Sequence, residues 1–119
     1  MDDTVRNKVM QVALLLEEHR GEDTTALYLG EMSGWTEYFV ITTVSSRTHM
    51  RGVMRSLLRR LHELDIEPLN RTRGLEAEGW VLLDCGDFIV HLMEKEQRRF
   101  YELEKLWFKS EMIYSSRPS

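Results

Sequence analysis

Two segments of the chain repeat their apolar residues with the period of a helix. Between residues 3 and 20, Val5, Val9, Val12, Ala13 and Leu16 fall at i, i+4, i+7 and i+8, which predicts an amphipathic helix stopped at Gly21. The second stripe is the stronger one. It carries Met50, Val53, Met54, Leu57, Leu58, Leu61 and Leu64, and Ser45 or Ser46 stands in front of it as an N-cap. Elsewhere the pattern shortens to that of strands. "ALYL" (26–29) reads as a short strand, and "GEMSGW" as a turn. "EYFVITTV" (37–44) is β-branched and aromatic along its whole length, as suits a buried central strand.

After the second helix, Pro68 pushes Glu67 towards extended backbone, so "DIEPLN" reads as a short edge strand and 71–79 as a polar loop. "WVLL" and "FIVHLM" then form a hairpin around "DCGD". From Glu94 a last helix carries Phe100, Leu103, Leu106 and Trp107, and the polar tail 110–119 is expected to fray. This order of elements predicts an α/β fold on the α+β border. A mixed, roughly five-stranded sheet packs with helices, with a right-handed parallel unit across the second helix and antiparallel pairing at the hairpin. One domain over 1–109 and a flexible tail account for the chain.

The hairpin carries residues that a sheet does not require. With a two-residue loop at Cys85-Gly86, Trp80 faces His91, Leu82 faces Ile89 and Asp84 faces Asp87. Alternation then gathers Val81, Leu83, Phe88, Val90 and Leu92 on a wholly apolar face. Trp80, Leu82, Ile89, His91 and Met93 share the other, which suits a half-exposed surface or an interface. A plainer reading stands beside this one: Trp80 partly core, His91 a satisfied structural histidine, and the two aspartates bonded to the backbone of their own turn.

Composition narrows the function. At 119 residues, 42% hydrophobic and 30% charged, the chain is a globular domain with a real core. Its acidic start and lack of a long apolar run predict neither a secretory signal nor a membrane span, hence a soluble cytosolic protein. A lone cysteine, Cys85, makes no internal disulfide. The net charge of −4 argues against a dedicated nucleic-acid binder. Twelve of the sixteen cations are arginine, however, and Arg47, Arg51, Arg55 and Arg59 recur every four residues along the second helix. Like charges at that spacing weaken a helix, so the row is either an RNA or acidic-partner contact or a solvated face neutralised by nearby acids. Asp84, Asp87 and Glu94 are the one set of acids suited to gather a divalent cation, as an enzyme of the nucleotidyltransferase kind would require. No phosphate-binding glycine motif accompanies them, and Cys85 lies too far from His91 to form a nucleophile–base pair. No cofactor or metal site is expected. In the last helix Tyr101 lies on the border between the apolar and polar faces, where interface aromatics concentrate.

Two long blocks are specific. "EYFVITTVSSRTHMRGVMRSLLRRLHE" followed by "GWVLLDCGDFIVHLMEKEQRRFYELEKLW" resembles the Iojap family of bacterial ribosomal silencing factors, over about residues 3–108. The resemblance implies a non-enzymatic protein of nucleotidyltransferase-like topology without the catalytic motif. It implies binding to the large ribosomal subunit through its protein fourteen, a block on joining with the small subunit, and repression of translation when nutrients run short. It also implies a homodimer off the ribosome. On this likeness Trp80, Leu82, Asp84, Asp87 and His91 are the docking residues, bordered by Tyr101, Glu104 and Trp107. The chain departs from the family pattern at Glu37-Tyr38, at "TTVSS" and at Arg73, where many members carry an acid.

Overall fold

The computed structural model describes residues 3–30, 36–69, 79–101, 105 and 110–116. Helix α1 spans Asp3–Glu18 and is followed by strand β1, Glu22–Tyr28. Strand β2 (Tyr38–Val44) leads into helix α2 (Arg47–Glu63). The hairpin strands β3 (Trp80–Asp84) and β4 (Phe88–Glu94) come next, then helix α3 (Lys95–Tyr101) and strand β5 (Glu111–Ser115). The five strands form one mixed sheet in the order β3-β4-β2-β1-β5. Only the β2–β4 pair is parallel, with α2 and β3 in the connection between them.

The cores follow from strand alternation. Val40, Val44, Val81, Leu83, Phe88, Val90 and Leu92 share one face with the buried stripes of both long helices. In α2 that stripe is Met50, Val53, Leu57 and Leu61, and the helix starts where the Ser46 hydroxyl accepts the His49 N–H. A second cluster occupies the opposite face: Leu27, Leu29, Phe39, Ile41, Ile89 and Met93, with Trp80 and Leu82 packed at its margin. Helix α3 contacts β4 and β2. Its Arg98 is buried there, donating to the hydroxyls of Thr25 and Thr43 and to the Asp23 carbonyl.

Three features of the fold differ from what the sequence pattern predicts. The fifth strand does not lie in "DIEPLN". Residues 66–69 are irregular, tied to the hairpin by one bond from the Leu69 N–H to the Asp84 carbonyl. Pro68 supplies no N–H to a ladder, which fits a segment without strand structure. The fifth strand lies instead at 111–115, within what was expected to be a flexible tail. It pairs antiparallel with β1, and Ser116 and Thr24 bond to each other just past the ladder. β1 is longer than "ALYL" because Thr24 and Thr25, polar in sequence, are fully buried, with Thr24 bonded to Thr42 at 2.7 Å between hydroxyls.

Candidate protein-docking site

Within the hairpin the loop sits one residue further along than Cys85-Gly86. The Cys85 N–H donates to the Phe88 carbonyl at 2.9 Å, leaving Gly86-Asp87 as the two turn residues. Gly86 has φ +85°, the positive value a turn with glycine first demands. The register moves with the loop: Asp84 pairs with Ile89, Leu82 with His91 and Trp80 with Met93. A slip of two residues along one strand keeps every side chain on its own face, so the expected division into two faces survives.

What changes is exposure. On the mixed face, Ile89, His91 and Met93 are buried, and His91 is only 3% exposed. The half-exposed residues are confined to the edge strand: Trp80, Leu82 and Asp84, alternating with the buried Val81 and Leu83. They recur about every 7 Å along one side of β3. The strip ends in the turn, where Asp87 is exposed. Asp84 accepts the Gly86 N–H at 2.8 Å, so it caps the turn as the plainer reading held. The Asp87 backbone carbonyl receives the N–H groups of Glu37 and Tyr38, and Thr36 donates to the Gly86 carbonyl. These bonds hold the turn against β2 and leave the Asp87 carboxylate outward.

His91 therefore does not line the surface. Its Nδ1 accepts the Trp80 indole N–H at 3.2 Å, while its Nε2 has no partner among the described residues. Phe39 meets the ring edge-on, with centroids 4.6 Å apart. An unmatched buried donor typically costs about 1–3 kcal/mol. Burial also pushes the His91 pKa from 6.5 down to about 4. The unfolded chain thus takes up a proton between pH 6.5 and 4 that the folded chain refuses. The His91 contribution is complete above pH 6.5 and is lost as pH falls through that window, by up to roughly 3 kcal/mol. Melting temperatures of the wild type and of His91→Leu, compared from pH 7 to 4.5, should show a flatter profile for the variant. Parallel profiles would contradict the assignment.

The three acids of the cation reading are not together. Asp84 and Asp87 flank the turn, whereas Glu94 ends β4 roughly 20 Å away along the strand. Its carboxylate is engaged by Arg47 at 2.9 Å. Gly79, at φ +86°, lies so close that a Cβ there would meet Glu94 Oε1 at 2.7 Å. No group of three or more metal-ligating side chains occurs among the described residues. Cys85 packs against the first cluster and His91 belongs to the opposite face, so they form no pair. Burial, with Asp84 adding to it, pushes the thiol up to about 12; a nucleophilic cysteine needs the reverse.

The arginine row divides. Arg47 is bound to Glu94 across to β4, while Arg51, Arg55 and Arg59 are exposed along α2. Arg60, just off the row, pairs with Glu63. Tyr101 ends α3, and its side chain, with all of Glu104, Trp107 and Arg73, lies outside the described residues. Sequence reasoning missed Arg98, whose neighbours in sequence, Gln97 and Arg99, are polar and give no hint of a buried position.

A mixed five-stranded sheet with three helices among the described residues places the chain in the α/β class. A crystal structure of a Chromobacterium violaceum protein superposes with a TM-score of 0.76 at 25% identity, covering 95% of this chain and 89% of that one. The family described as "ribosomal silencing factor during starvation" matches residues 2–118, and the chain belongs to it. The ribosomal silencing factor of Halalkalibacterium halodurans is 32% identical over 101 residues, spanning 84% of this chain and 86% of its own length. A mouse protein named for mitochondrial assembly of the ribosomal large subunit is 33% identical over 100 residues. That stretch covers 82% of this chain and 43% of the mouse protein. No helix among the described residues is long and apolar enough to cross a membrane.

Proposed function

We propose that this silencing factor binds the large ribosomal subunit through protein fourteen, at the face that meets the small subunit, and so prevents joining and lowers translation under nutrient limitation. It acts in the cytoplasm by occupying a surface, without catalysis. The observation that carries this reading is the edge strip of Trp80, Leu82 and Asp84 running into the exposed Asp87. An aromatic anchor, an aliphatic neighbour and flanking carboxylates suit a basic protein partner, whose cations the acids attract. Tyr101, Glu104 and Trp107, outside the described residues, belong to the docking set in this reading. His91 contributes from beneath it.

Calorimetric titration of the chain with isolated protein fourteen tests the partner. Saturable heat is expected for the wild type. Asp87→Lys should bind about tenfold more weakly, since a close charge pair becomes a repulsion, and it should keep its melting temperature because Asp87 is exposed. Absence of heat with folded wild-type protein would contradict the reading.

The exposed row of Arg51, Arg55 and Arg59 supplies a second contact in this account, to phosphates of the ribosomal RNA. Replacing Arg55 and Arg59 with Gln should lower the slope of log affinity against log salt by about 1.5, the share of two released counterions. Binding to isolated large subunits at several salt concentrations measures it. An unchanged slope would return the row to solvent.

A further inference from the structure

A histidine is a poor choice for the place that His91 occupies, if filling the place were all it had to do. The other residues of that cluster are Leu27, Leu29, Phe39, Ile41, Ile89 and Met93. A leucine or phenylalanine would match them and bury no unmatched N–H. What the imidazole adds is one acceptor, Nδ1, and it is directed at the one polar atom of the Trp80 side chain. The bond runs on the diagonal: Leu82 is the direct cross-strand partner of His91 and Met93 that of Trp80, and the centroids of the indole and imidazole rings lie 5.9 Å apart.

We propose that His91 is a positioning residue for docking: it holds the Trp80 indole in one orientation on the β3 edge, so that the partner meets an ordered anchor. This rests on the docking role proposed above for Trp80. Trp80 opens an edge strand just after the positive-φ Gly79 and is only half-buried. Because Nδ1 accepts, the proton of the neutral ring resides on Nε2, and the imidazole gives up a bond there to make the one that orients the indole. The indole N–H is directed inward, and what Trp80 gives a partner is its apolar ring. Ordering the ring before the encounter moves the entropic cost of immobilising it from binding to folding.

The test uses the full chain with His91→Leu and His91→Gln. Three quantities are read: melting temperature, affinity for isolated large subunits, and the indole N–H resonance of Trp80, assigned with Trp80→Phe. His91→Leu should melt at or above the wild-type temperature, shift the Trp80 resonance, and speed its exchange with solvent. Its affinity should fall by about 3- to 10-fold, the effect of freeing one interfacial side chain. His91→Gln, whose Oε1 can accept the same N–H, should recover at least half of that loss. A shifted resonance with unchanged affinity would overturn the positioning role, and so would an unshifted resonance in His91→Leu. If His91→Leu fails to fold, His91→Gln decides: a protected indole N–H with wild-type affinity supports the proposal, and an unprotected N–H with wild-type affinity overturns it. If the wild type itself does not bind large subunits, the docking role of Trp80 falls and the positioning role with it. An ordered, protected indole N–H would then mark His91 as structural only.

Discussion

Phe88→Ala is expected to lower the stability of the domain by about 3–5 kcal/mol, the largest single loss among the substitutions considered. Phe88 is 2% exposed and packs in the first cluster beneath the long helices. It also stands where three constraints meet. Its carbonyl closes the hairpin turn by accepting the Cys85 N–H, it begins β4, and it pairs with Tyr38 in the parallel ladder to β2. The cavity left by truncation would lie between the sheet and the long helices, over a strand hydrogen-bonded on both sides, where collapse is hardest. At roughly 4 °C per kcal/mol for a chain of this size, the melting temperature should drop by about 12–20 °C. Thermal and urea unfolding measure it. A loss below about 1.5 kcal/mol would mean that the turn and the β2–β4 ladder are not coupled as described. The same variant should loosen the turn that presents Asp84 and Asp87, linking a core residue to the docking surface.

Trp80→Ala should show the reverse balance. Trp80 is half-buried on an edge strand and borders the second cluster without being enclosed by it. Its truncation leaves a notch open to water, which costs less than a sealed cavity. A stability loss of about 1–2 kcal/mol is expected, including the bond to His91 Nδ1. Affinity for the large subunit should fall by at least ~2 kcal/mol, about 30-fold, the scale of a truncated hot-spot aromatic. Affinity measured well below the melting temperature, beside the melting curve itself, separates the two effects. A stability loss as large as that of Phe88→Ala, with affinity unchanged, would make Trp80 a core residue and remove the strip as a docking site.

The sequence made some of this legible and hid the rest for physical reasons. Helices α1 and α2 and strand β2 could be read because their apolar periods are long and uninterrupted. The two faces of the hairpin could also be read, since a register slip of two leaves alternation intact even though the loop lies at Gly86-Asp87. The exposure of those faces could not. Alternation says which side chains are neighbours, and it does not say what lies over them; His91 is buried where a one-sided sheet would have left it half-exposed. Strand β5 escaped because "EMIYS" is half-exposed and short, with the composition of a surface segment. What makes it a strand is pairing with β1, with Ser116 bonding Thr24 some 92 residues away in sequence. Arg98 was hidden in the same way: only the fold brings Asp23, Thr25 and Thr43 to its guanidinium. The metal reading of Asp84, Asp87 and Glu94 failed through strand length, which places Glu94 at the other end of β4.

The central claim is that this chain occupies the joining face of the large subunit. Sucrose-gradient sedimentation of the purified protein with isolated subunits tests it most directly, first with each subunit alone and then with both. The account predicts co-migration with the large subunit and not with the small one, and fewer joined ribosomes as the protein is added. Joined ribosomes that form undiminished while the protein remains bound to the large subunit would contradict it.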